Sequence, residues 1–215
     1  MKRFLFLLLA SGCAKGGAGV PSALLDIEGT AEDAYDKALV GDAATVTADA
    51  DAIATGWNDY RAQAEADGAS SADLSAMDAA VSALSDAAAA ADLRDTALAR
   101  VANGVSAPMD ELFGLYDDPV PAPILALDYG GREVSLDAME EGLDDAAQDL
   151  DELDAVWATV RDQVVAAGGS AEADAYDASL VAQHDLATAA DAAGLLAESN
   201  NGLELVDALE GVFGG

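Results

Sequence analysis

The stretch from Asp49 to Arg61 returns one hundred residues later as Asp149 to Arg161, and this echo restricts the fold more than any other feature. At that offset Asp49/Asp149, Asp51/Asp151, Trp57/Trp157, Arg61/Arg161, Gln63/Gln163, Ala66/Ala166 and Gly68/Gly168 are identical. The chain has only two tryptophans, so matching both at one spacing marks a tandem duplication. In the first copy Val46, Ala50, Ile53, Trp57, Tyr60 and Ala64 step alternately by four and three, the stripe of a bundle helix. Hydrophobic residues make up 52% of the chain but aromatics only 5%, and much of the remainder is alanine. Thin side chains of high helix propensity suit closely packed helices better than sheets.

The expected fold is therefore all-α: a tandem duplication of a three-helix unit, built as antiparallel helical bundles. Short connections force neighbouring helices antiparallel. The first unit spans residues 30–117 and opens with Thr30 as helix cap, followed by acids in the first turn. A short helix to Val40 precedes the long one, and a second helix carries Leu74, Met77, Val81 and Leu84. A third runs from Leu98 to Tyr116 with a kink at Pro108. Residues 118–123 hold three prolines and form a stiff linker. The second unit spans residues 124–215. Its long helix is expected to run from about Val134 to Ala167, roughly 50 Å at 1.5 Å per residue. Tyr176 and Leu180 then match Met77 and Val81 at an offset smaller by one, and Asn200 and Asp207 match Asn103 and Asp110 after two further deletions. The mixed polar group Asp128–Tyr129–Gly130–Gly131–Arg132–Glu133 is read as a hinge between the units.

The chain opens Met1-Lys-Arg-Phe4 and continues through an apolar run to Leu9-Ala10-Ser11-Gly12-Cys13. A basic start, a short apolar stretch and small residues before a break are the pattern of a secretory signal. Its end resembles the lipobox of bacterial lipoproteins, with Ala10 where leucine is commonest. That resemblance covers the first 13 residues and implies cleavage of residues 1–12 as a signal peptide and lipidation of Cys13. It also implies a lipid-anchored protein of the bacterial cell envelope, in the outer membrane by the residue that follows Cys13. Cys13 is the only cysteine, so an internal disulfide is excluded and a covalent modification is the economical account. Residues 13–29 are small and glycine-rich, and are expected to tether the folded body to the membrane.

Against 41 acidic residues stand 9 basic ones, a formal net charge of −32. Nucleic acid is excluded as a partner, because phosphate binding needs clustered Lys and Arg. The expected partners are the membrane, through the anchor, and a protein of the envelope. No cofactor and no metal are expected. His184 is the only histidine, which excludes a multi-histidine metal site, and neither a Gly-x-Ser-x-Gly elbow nor a calcium loop is present.

The repeated Trp-x-x-x-Arg places indole and guanidinium together on one helical face. The candidate residues are Trp57, Arg61, Asn103 and Asp110 in the first unit, and Trp157, Arg161, Asn200 and Asp207 in the second. As structural groups, the arginines tie each bundle together through Asp110 and Asp207 on the last helix. As a ligand site, Trp, Arg and Asn line a cavity in each unit. The function expected is a non-enzymatic helical binding or scaffold module. The alternative is a solute-binding protein that holds a small cation, metal or cofactor between bundle helices.

Overall fold

The computed structural model describes residues 19–90 and 95–214. The expected signal peptide, Cys13 and the tether as far as residue 18 lie outside the described residues. Among the latter the fold is all-α, with helices packed against one another and no strand.

Among the described residues each unit has four principal helices, the first of which was expected in the first unit as a short helix to Val40 and was not expected in the second. The first contains α1 (Ser22–Leu39), α2 (Ala43–Asp67), α3 (Ser71–Ala89) and α4 (Asp95–Asn103), followed by the short α5 (Met109–Phe113). The second contains α6 (Pro123–Met139), α7 (Leu143–Ala166), α8 (Ser170–Thr188) and α9 (Ala192–Phe213). In both units the first helix packs on the second and the fourth, and the second packs on the third. The duplicated sequence is thus a duplicated topology.

The chain departs from the expected course in two places. The first helix begins at Ser22, behind Pro21, and Thr30 lies within it with its hydroxyl donating to the Asp26 carbonyl at 2.6 Å. Leu24, Ile27, Ala31, Ala34, Tyr35 and Ala38 give this helix its own buried stripe, so residues 22–29 belong to the folded body and not to the tether. In the second unit the helix expected to run on past Gly142, its one breaker, parts at residues 140–142. Glu141 adopts a left-handed φ of 58°, and the Gly142 amide donates to the Asp137 carbonyl at 2.8 Å. Gly41, one hundred residues earlier, holds the same conformation with a φ of 74°. The break is therefore inherited, and a glutamate now stands where the first unit has glycine.

Local chemistry fixes the other ends. Asp42 caps α2 by accepting from the Thr45 amide at 3.2 Å, and Ser70 with Asp73 forms a reciprocal capping box on α3. Pro123 occupies the first turn of α6, where a missing N–H does no harm. The expected third helix does not run on through a kink: α4 ends at Asn103, residues 104–108 turn, and α5 follows Pro108.

The expected hinge at Asp128–Glu133 is also corrected, because these residues sit in the middle of α6. Gly130 and Gly131 serve close packing there. A Cβ on Gly130 would come within 2.8 Å of Leu153 on α7, and one on Gly131 within 2.8 Å of Leu203 on α9. The helix α6 is consequently clasped by both neighbours. Each unit has its own apolar core, and Leu136 of α6 packs into the core of the first unit.

Candidate functional site

The repeated Trp and Arg each close on one aspartate. Trp57 Nε1 donates to Asp78 Oδ1 at 2.7 Å, while Arg61 reaches Asp78 through Nε at 2.9 Å and Nη2 at 2.9 Å. In the second unit Trp157 Nε1 donates to Asp177 Oδ1 at 2.6 Å, and Arg161 Nε and Nη2 reach Asp177 Oδ2 at 2.9 and 2.6 Å. The expected partners Asp110 and Asp207 are not used. The acceptors lie on α3 and α8, one element earlier, and hydrogen bonds from arginine and indole hold both carboxyls below their ordinary range. Asp78 and Asp177 stand one residue after Met77 and Tyr176, so the shortened offset that aligns those two was the signal that would have found them.

The two asparagines share a register but not an environment. Asn103 is fully buried, and its Nδ2 donates to the Tyr129 carbonyl at 3.1 Å and to Glu133 Oε1 at 2.7 Å. Asn200 is exposed; its neighbour Ser199 is the buried residue and shares a 2.8 Å hydrogen bond with Ser135. The reason is that α6 covers the face of α4 that carries Asn103. Asp110 is half-buried and Asp207 exposed. The eight candidates therefore do not converge: two clamps lie one in each unit, and Asn103 belongs to the boundary between the units.

That boundary holds the densest polar network, a seam of charges against α6. Arg100 of α4 contacts Glu133 and reaches Asp137 Oδ1 at 2.7 Å and Glu140 Oε2 at 3.2 Å. Arg132 contacts Asp128 on its own helix and Glu32 of α1 at 2.7 Å, and its guanidinium lies 5.5 Å from the Tyr35 ring centroid. Glu32 and Arg132 are one hundred residues apart, so equivalent positions of the two units face each other here. Two identical units would oppose like charges at this point, and the substitution of arginine in one copy removes that repulsion.

Carboxylates outnumber cations along the seam, and their protonation reflects it. Burial, with Glu32 adding to it, pushes Glu28 up to about 7, against the opposing influence of the Ser106 hydroxyl and Arg132. Burial also raises Glu133, against Asn103 and Arg100. Asp149 is raised by burial and by Asp137, which sits within hydrogen-bonding reach of it.

Among the described residues, two clefts on the seam are each lined by four or more carboxylates. One of about 380 Å³ is lined by Arg100, Tyr129, Glu133, Asp137, Asp145 and Asp149. The other, about 280 Å³, lies between α1, the linker and α9, and its walls include Leu25, Glu28, Phe113, Val120, Leu125 and Glu210. Neither was legible in the sequence, since their residues come from helices joined only by the fold. Away from the seam, His184 Nε2 lies 3.0 Å from Asp154 Oδ2, and with Asp151 they form a solvent-facing group of donor atoms within 4.8 Å of one another. This group is an open surface hydrogen bond with a further acid beside it.

The arrangement can neutralise and desolvate positive charge, and its acid excess rejects anions. No helix among the described residues is long and apolar enough to cross a membrane. No family model, curated protein or solved structure matches the chain.

Proposed function

We propose that the protein is a lipid-anchored, non-enzymatic helical binding or scaffold module of the bacterial cell envelope. The observation that carries the reading is the position of the only cysteine, Cys13, between an apolar leader and a helical body whose first helix begins at Ser22. A lipid on Cys13 would hold two fused bundles close to a membrane, with the acidic surface turned away from anionic head groups by repulsion.

The test is metabolic labelling of the full chain with a clickable fatty acid in a bacterial host. The expected result is label on the wild type and its recovery with membranes, with Cys13→Ser unlabelled and released. Equal fractionation of the two proteins without label would reject the anchor. Cross-linking in the same envelope then identifies the protein partner that a scaffold requires.

A second reading, a solute-binding protein, is favoured by the clefts on the seam. It relocates the ligand site from the Trp/Arg pairs, which are engaged by Asp78 and Asp177, to the carboxylates around α6 and α1. Replacing Arg61 and Arg161 by Met is then expected to lower stability and leave any solute in place.

A further inference from the structure

The cleft between α1, the linker and α9 combines apolar walls with a carboxylate of which one oxygen lacks a partner among the described residues. Glu28 lines it and is only 6% exposed, and its Oε2 has no hydrogen-bond partner among the described residues. The nearest cation does not supply one: Arg132 is engaged through Nη2 with Asp128 and Glu32, and its Nη1 is itself without a partner there. Glu32, Asp118 and Glu210 also line the cleft, and among the described residues no lysine or arginine does. The remaining walls are apolar, with Leu25, Phe113, Val120 and Leu125 among them.

These features select a ligand class. An anion would meet four carboxylates. A hard metal ion seeks six or more oxygen donors, whereas much of this wall is hydrocarbon. A neutral apolar molecule would leave the Glu28 oxygen unsatisfied. A cation with an N–H donor and an apolar body answers both the open acceptor and the walls. The volume, about 280 Å³, stands near the small end of ligand cavities.

We propose that this cleft binds a small organic ammonium ion, its N–H donating to Glu28 Oε2 and its apolar body lying against Leu25, Phe113 and Leu125. The proposal rests on the solute-binding reading of the seam and is independent of the lipid anchor. Glu28 faces Glu32 from its own helix, Ser106 from the turn after α4, Arg132 from α6 and Glu210 from α9. A proton competes with the ligand for this carboxyl, which burial raises to about 7, so binding weakens as the pH falls from 8 to 5.

Titration calorimetry on the full chain tests this, with hexylammonium as probe and hexanol and hexanoate as controls, at about 0.1 M salt to damp the general acidic field. The expected result at pH 8 is one hexylammonium per chain, bound at least about tenfold more tightly than hexanol, and no hexanoate. Glu28→Gln keeps the shape of the side chain and should lower the hexylammonium affinity by about tenfold or more without lowering the melting temperature. Gly29→Phe is a second probe: a Cβ there meets nothing within 4 Å, so the ring can occupy the cleft while Glu28 stays intact, and binding should vanish. Asp59→Asn, on the exposed face of α2, should leave the affinity unchanged. Equal binding of hexylammonium and hexanol, unaltered affinity in Glu28→Gln, or no binding by the wild type would each overturn the proposal. A different solute retained by chain purified from its own envelope would sustain the solute-binding reading while rejecting the ammonium class.

Discussion

At the scale of single residues, the duplicated Trp, Arg and Asp form a bracket between two helices. Asp78 accepts from both an indole and a guanidinium, so its loss leaves two donors unmatched. The side chains are partly open to water, which limits the value of the ion pair. Asp78→Ala and Asp177→Ala are each expected to cost about 1 kcal/mol of stability, roughly additively because the sites lie in separate units. Denaturant unfolding of both single variants and the double variant measures this, and strong non-additivity would show the brackets to be linked. Glu28 behaves oppositely. Its carboxyl is buried, so Glu28→Gln should stabilise the protein by about 1–2 kcal/mol at pH 8 and by little at pH 5.

At the scale of elements, the core stripes were legible and the breaks were not. Val46 to Ala64 declared α2, and Leu150, Leu153, Trp157, Val160 and Val164 declared α7, because three- and four-residue steps of apolar residues have one structural meaning. The start of α1 was hidden by Gly29 and Thr30, which look like a boundary. Gly29 is tolerated because it is exposed, and the buried Leu24 and Ile27 on the preceding turn hold the helix. The break before α7 was hidden because a glutamate occupies the left-handed position that a glycine fills in α2's approach. That glutamate bears a Cβ penalty, so Glu141→Gly is expected to stabilise the protein by up to about 1 kcal/mol. A fall in the melting temperature of that variant would contradict the assignment. The candidate site was read in part. Trp and Arg were visible through repetition, and their acceptors were reachable through the shifted offset. Of the seam, the polar group from Asp128 to Glu133 was visible but read as a hinge, because its partners Arg100 and Glu32 are brought to it only by the fold.

At the scale of the whole molecule, two bundles are joined by charges that neither would bury alone. Glu28, Glu133, Asp128 and Asp149 all have carboxyls raised by burial in the folded protein. A raised folded value means that the proton is held more tightly in the folded state. The stability from this is full below the ordinary carboxylate range and is lost as the pH rises through the folded values, about 7 for Glu28. Asp78 and Asp177 are lowered, so their contribution is present at neutral pH and is lost only as the pH falls through their depressed values. The net charge of −32 also repels itself more as acids ionise. The melting temperature should accordingly be higher at pH 5 than at pH 8, and a scan across that range that rises with pH would contradict the buried-acid seam.

The central claim is that this seam makes one cooperative body of two homologous units, and the tryptophans allow a direct measurement because each unit has one. In Trp157→Phe the fluorescence reports the first unit, and in Trp57→Phe it reports the second. Thermal unfolding of each variant, followed by fluorescence and by far-ultraviolet circular dichroism on the same sample, should give coincident midpoints. A fluorescence midpoint that departs from the dichroism midpoint in both variants, early in one and late in the other, would mean that the units melt separately and that the seam does not join them.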